Sequence, residues 1–222
     1  MEIDLSKPIL DKNMRLAAEN RRLFDDAGVF VLDLLASPGA GKTSTILATI
    51  AALRERYRIA VIEGDIASKV DAEKIKAHGI PAVQINTGGA CHLESDMIQR
   101  AVAALPLSDL DLVIIENVGN LVCPTEFDLG EHAKVMILSV PEGHDKPLKY
   151  PAIFSRSEAI ILNKHDTLGF FDFDEGEFRR VVAKLNGKAP IFPMSATTGE
   201  GVEAWSEWLA TRVDELKTRP EA

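Results

Sequence analysis

Seven apolar, β-branched runs punctuate the chain, and helical spacing follows most of them: VFVLDLL (29–35), RIAVIEG (58–64), PAVQIN (81–86), DLVIIEN (111–117), KVMILSV (134–140), EAIILN (158–163) and APIFPMS (189–195). Helical patterns cover 42–56, the stretch DAEKIKAHGI up to Gly79, 93–105 with Cys91 and His92 at its start, 174–186 and 202–216. Strands that alternate with helices predict an α/β fold of three layers, a mostly parallel sheet covered by helices on both faces. In such sheets ligands bind beyond the carboxyl ends of the strands. The first two dozen residues form a helical pattern that DDAG (25–28) stops. Residues 1–27 are therefore expected as a helical lead-in and 28–222 as the main body of a single domain.

With 222 residues the chain is long enough for a substantial core. Its net charge of -9 argues against a general nucleic-acid or anionic-membrane binder. No apolar stretch is long enough to span a bilayer, and the charged N-terminus lacks a signal-peptide core. Two cysteines do not make a disulfide framework, so a reduced, cytoplasmic protein is expected.

The first strand ends in ASPGAGKTS, a Gly-rich turn opening a helix at Lys42. Backbone N–H groups of Gly39, Ala40, Gly41, Lys42, Thr43 and Ser44 can cradle phosphates at that helix N-terminus. Lys42 would reach the β- and γ-phosphates, and the Thr43 hydroxyl would bind Mg²⁺. This predicts a P-loop NTPase fold. Ala36 stands where the motif has its first glycine, and the loop still closes if that residue has a negative φ.

NKHD (163–166) follows one strand and SATTG (195–199) the next, a pairing that resembles the guanine-reading segments of GTPases. The Asp166 carboxylate would accept two N–H donors from guanine that adenine does not offer, with Asn163, Lys164, Ser195 and Ala196 completing the site. A GTP/GDP site is therefore expected rather than an ATP-dependent small-molecule kinase. Glu63, Asp65 and Glu116 are acids at two further strand ends, placed to hold Mg²⁺ or the attacking water. Lys42, Asp65 and Glu116 are the catalytic candidates, and Thr43, Asp65 and Glu116 the Mg²⁺ candidates. Helix N-caps are the alternative for Asp65 and Asp71. No glutamine stands in a water-positioning place, consistent with slow intrinsic hydrolysis.

Cys91 and His92 are adjacent in GGACHLES, and Cys123 follows the strand end that carries Glu116. Thiolate and imidazole suit Ni²⁺ or Zn²⁺, and Glu94 is a possible extra ligand. Spacing alone leaves a core cysteine beside a helix-capping histidine as an alternative.

The runs DIASKVDAEKIKAHGIPAVQINTGGACHLESDMIQRAV, ENVGNLVCP and EGHDKPLKYPAIF resemble HypB, the hydrogenase maturation GTPases of the SIMIBI class that assist nickel insertion into [NiFe] hydrogenase. The likeness runs from the phosphate loop to SATTGEG. It implies a metal site of Cys91, His92 and Cys123 at a dimer interface, a homodimer promoted by nucleotide or metal, and Glu63, Asp65 and Glu116 in the Mg²⁺ and switch region. It implies a second nickel accessory protein and the hydrogenase large subunit as partners, and Lys146 or Lys149 of KPLK near nucleotide, on its own subunit or across the interface; a solvated loop is the alternative for those lysines. The N-terminus has no cysteine and no histidine run, so nickel storage there is not expected. A urease-type nickel GTPase and a regulatory GTPase without metal are the competing readings.

Overall fold

The computed structural model describes residues 6–65 and 70–218, except the side chains of 6–9, 65, 70–72 and 74. Seven strands, β1 (Phe30–Ala36), β2 (Ile59–Asp65), β3 (Ala82–Asn86), β4 (Leu112–Glu116), β5 (Ala133–Ser139), β6 (Ala159–Asn163) and β7 (Ile191–Pro193), form one sheet in the order β3-β2-β4-β1-β5-β6-β7. Every pairing is parallel. The inner strands, buried on both faces, read as unbroken apolar runs, and the half-buried edge strands β3 and β7 as shorter ones, so all seven were legible within a residue or two at each end.

The helices are α1 (Ser6–Ala27), α2 (Lys42–Leu53), α3 (Val70–Ala77), α4 (Ser95–Val102), α5 (Cys123–Glu126), α6 (Lys146–Lys149), α7 (Pro151–Arg156), α8 (Glu175–Leu185) and α9 (Val202–Lys217). Alternate residues of β1 serve opposite faces. Leu32 and Leu34 join Ile46 and Ile50 of α2, Ile75 of α3 and Trp205 and Leu209 of α9. On the other face Val31 packs with Phe24 of α1 and Ile98 of α4, and Leu35 with Phe154 of α7 and Phe178 of α8. The expected three layers are present.

Asp33 lies between these last two clusters, fully buried on the central strand. Register places it opposite Lys134 of β5, whose Nζ sits 3.2 Å from Asp33 Oδ2 and pairs also with Glu131. Burial pushes both carboxyls up against the pull of Lys134, Glu131 to about 7. Two buried carboxyls sharing one lysine are tolerated because hydrogen bonds satisfy them.

One local expectation and one alternative are corrected. Cys91 and His92 precede α4 rather than start it, because Thr87–Ala90 closes a turn (Ala90 N–H to Thr87 O, 3.2 Å) and Glu94 is still extended at φ -118°. KPLK is a short helix, not a loop, with Lys149 ion-paired to Asp145 at 2.5 Å and Lys146 5.4 Å from the Tyr150 ring centroid. No helix among the described residues is long and apolar enough to cross a membrane.

Candidate functional site

The chain order carries β1 outward to β2 and β3 on one side and returns through β4 to β5 on the other, so a crevice opens at the carboxyl end of β1. The Gly-rich turn fills that position. Ala36 ends β1 fully buried, opposite Ile137, and Lys164 is the one non-glycine with positive φ among the described residues. Ala36 is thus a strand residue with no need of left-handed backbone, and its replacement of glycine leaves the turn intact.

Gly41 caps α2 at φ 97°. A Cβ there would stand 2.4 Å from Asn163 Nδ2, so this position has room only for glycine. Asn163 donates to Ala40 O at 2.9 Å and accepts from the Ala196 N–H at 3.2 Å. Lys164 Nζ donates to Gly39 O at 2.7 Å. The NKHD segment therefore braces the phosphate loop against the SATTG loop. Ser195 is buried and accepts the Thr198 N–H at 3.1 Å, while Asp166 is exposed.

A cleft of about 390 Å³ is lined by Gly39, Gly41, Lys42, Thr43, Ser44, Glu116 and Lys164. Thr43 Oγ1 donates to Glu116 Oε1 at 2.9 Å. Glu63 is opposite Glu116 in the β2–β4 register, and both are buried. Asp65 ends β2, but its side chain lies outside the described residues, as does that of Asp71 in α3. Lys146 and Lys149 do not line the cleft.

Beyond β3 and β4, one ligand atom from each of Cys91, His92 and Cys123 lies within 4.8 Å of the other two. Cys91 Sγ is 3.7 Å from His92 Nδ1. The opposite nitrogen, Nε2, makes no hydrogen bond and is 3.6 Å from Glu94 Oε1. A metal held at Nδ1 would leave Glu94 to orient the ring through Nε2, the usual office of a carboxylate behind a ligating histidine. The His92 ring packs against Phe127, tilted by 32° with centroids 3.9 Å apart. Burial pushes the His92 imidazole down against the opposing pull of Glu94, favouring the neutral ring that binds metal. A hydrogen bond with Cys123, then burial, pushes the exposed Cys91 thiol up.

Side chains that sequence reasoning passed over connect the two places. Asn117 Oδ1 accepts the N–H of Leu93 at 3.3 Å and of Val118 at 2.9 Å, while its Nδ2 donates to Asp33. Asn120 Nδ2 donates to Cys91 O at 3.2 Å. Leu93 is buried so tightly on β2 that a Cβ on Gly64 would meet its Cδ1 at 2.7 Å. The one available signal was the run ENVGN itself, two amides beside an acid at a strand end.

The CobW/HypB/UreG nucleotide-binding domain family matches residues 31–193. The hydrogenase maturation factor HypB of Escherichia coli (strain K12) is 46% identical over 212 residues, covering 96% of this chain and 72% of that protein. This chain belongs to the HypB family. The crystal structure of Helicobacter pylori HypB in complex with nickel superposes with a TM-score of 0.88 at 38% identity, over 95% of this chain and 99% of that one. HypB from Archaeoglobus fulgidus gives 0.86 at 36% identity, over 91% and 99%. The HypB fold thus extends across almost the whole chain.

Proposed function

We propose that this chain is a GTP-hydrolysing nickel metallochaperone of hydrogenase maturation, carrying nickel at Cys91, His92 and Cys123 and releasing it under control of the nucleotide. The observation that carries this reading is the adjacency of Glu116, bonded to Thr43 in the cleft, and Asn117, bonded to Leu93 beside the thiols.

In the nucleotide half, the N–H groups from Gly39 to Ser44 take the phosphates and Asp166 takes the guanine edge, with Asn163, Lys164, Ser195 and Ala196 forming the wall. Lys42 offsets charge on the transferring phosphoryl group. Thr43 Oγ1 and Glu116 Oε1 already stand 2.9 Å apart at the cleft, hard oxygens of the kind that hold Mg²⁺, with Asp65 as a further candidate. When bound, Mg²⁺ neutralises charge on the β- and γ-phosphate oxygens. Asp65 and Glu116 also orient the attacking water.

In the cargo half, two thiols and one imidazole suit nickel or zinc but fall short of four ligands. Two copies of the chain related by a two-fold axis would pool their ligands, and a homodimer promoted by nucleotide or metal follows. Lys146 and Lys149 would then approach the partner's nucleotide. The nickel-bound relative favours nickel over zinc as cargo. A second nickel accessory protein supplies the metal and the hydrogenase large subunit receives it, in the cytoplasm.

Competition and metal titration test this together. A labelled guanine nucleotide is displaced by GTP and not by ATP, and nickel bound by the wild type is lost from a Cys91→Ala, Cys123→Ala double variant. Equal displacement by ATP contradicts the guanine assignment, and nickel retained by the double variant contradicts the cargo site.

A further inference from the structure

One stripe of α1 turns inward at Asn13, Ala17, Asn20 and Phe24, spaced four, three and four residues apart. Two of the four are amides, 4% and 1% exposed. Buried amides cost stability unless hydrogen-bonded, so their partners matter.

Those partners are the backbones of two separate segments. Asn13 Nδ2 donates to Asp128 O at 2.7 Å, and Asn13 Oδ1 accepts the Ser95 N–H at 2.8 Å. Asn20 Nδ2 donates to Ser95 O at 2.9 Å and to Leu129 O at 3.1 Å. Ser95 Oγ closes the arrangement by donating to Asp128 O at 2.7 Å. Ser95 lies just after His92, and 127–130 just after the helix that Cys123 starts; Phe127 in that second segment is the ring against which His92 packs. The approach is close, since a Cβ on Gly130 would stand 2.7 Å from both Ala17 O and Asn20 Cβ. Asn20 Oδ1 is buried with no hydrogen-bond partner. An orphaned carbonyl is a poor choice for stability alone, and the donor half of the amide, which joins Ser95 to Leu129, accounts for the residue.

We propose that α1 is the template of the thiol–imidazole site: Asn13 and Asn20 are positioning residues that hold the Cys91–His92 segment at ligand distance from the Cys123 segment. This rests on those three residues being the metal ligands. An outer support of this kind changes metal affinity and ligand geometry while leaving the phosphate cleft alone.

The test measures nickel affinity, the thiolate-to-nickel absorption band and the affinity for a GTP analogue in four purified variants. Asn20→Ala is expected to weaken nickel about ten-fold or more and to shift or diminish the band at saturation, with nucleotide affinity within about two-fold of wild type. Ser95→Ala, a smaller change that covers the case in which Asn20→Ala does not fold, is expected to weaken nickel about five-fold, the worth of one hydrogen bond. Tyr57→Phe is the stability control: it removes a 2.8 Å bond to Asp214 away from the thiols and leaves nickel affinity and band unchanged. Wild-type affinity and band in Asn20→Ala, or in Ser95→Ala where the first is unfolded, overturn the template, as does an equal loss in Tyr57→Phe. The Cys91→Ala, Cys123→Ala variant separates the two levels: nickel retained there overturns the site and the template with it, whereas nickel lost there but intact in Asn20→Ala and Ser95→Ala overturns the template alone.

Discussion

Thr43 and Glu116 share a 2.9 Å hydrogen bond across the floor of the phosphate cleft. It ties the first turn of α2 to the end of β4, whose next residue, Asn117, holds the backbone of the cysteine–histidine segment. A change of ligand at Thr43 therefore bears first on the strand end that supports the thiols.

Lys42→Ala is expected to reduce GTP hydrolysis at least 100-fold, because a cation is removed from the transferring phosphoryl group (a loss of about 10²–10³ is typical for one such contact). Thr43→Ala is expected to weaken Mg²⁺-dependent nucleotide binding, since one of the paired oxygens is gone. Single-turnover phosphate release and nucleotide titration with and without Mg²⁺ check both. Wild-type turnover in Lys42→Ala would place the chemistry elsewhere.

Asp166→Asn exchanges an acceptor for a donor and is expected to shift preference from guanine to xanthine nucleotide. The affinity of GTP should fall by about 10²-fold or more, the cost of setting a donor against the guanine N–H groups. Competition between the two nucleotides reads the shift directly.

Nickel binding is expected to release protons and to weaken as pH falls. The Cys91 thiol is held above its ordinary value by Cys123 and by burial, so at neutral pH it must lose a proton for metal to bind. Isothermal titration in buffers of different ionisation enthalpy counts the protons. Binding that is pH-independent between 6 and 8 would exclude thiolate ligation.

Asp111→Asn is expected to lower stability at pH 7 by about 2 kcal/mol. Burial pushes the Asp111 carboxyl up, but the Arg58 side chain and N–H and Lys217 together hold it well below the usual carboxylate range. A depressed value means that stability is present above the unfolded value near 3.8 and is lost as pH falls through the folded one. The gap between wild type and variant should therefore narrow below about pH 4. Urea unfolding at pH 7 and pH 3 measures it.

The strands and the phosphate loop were legible because their signals are local: an apolar, β-branched run, a turn that needs glycine at Gly41, a lysine and threonine at fixed distance. The co-location of Cys91 and Cys123 followed from both lying after carboxyl ends of strands. The supporting residues were not legible, because their meaning depends on distant partners. Asp33 is one acid within VFVLDLL until register sets it against Lys134. Asn13 and Asn20 on a charged helix resemble solvent-facing residues until α4 and residues 128–130 pack on them. The start of α4 was placed too early because Leu93 continues the apolar period of the helix, although it is buried against β2 from an extended segment.

The central claim is that nucleotide and nickel communicate through Glu116, Asn117 and Leu93. The direct measurement is a pair of titrations: nickel in the presence of GDP or a non-hydrolysable GTP analogue, and each nucleotide with and without nickel. The account predicts that exchanging GDP for the GTP analogue changes nickel affinity about five-fold or more, and that nickel changes the ratio of the two nucleotide affinities by the same factor, as linkage requires. Nickel affinities that are identical in every nucleotide state would contradict it, leaving two independent sites on one fold.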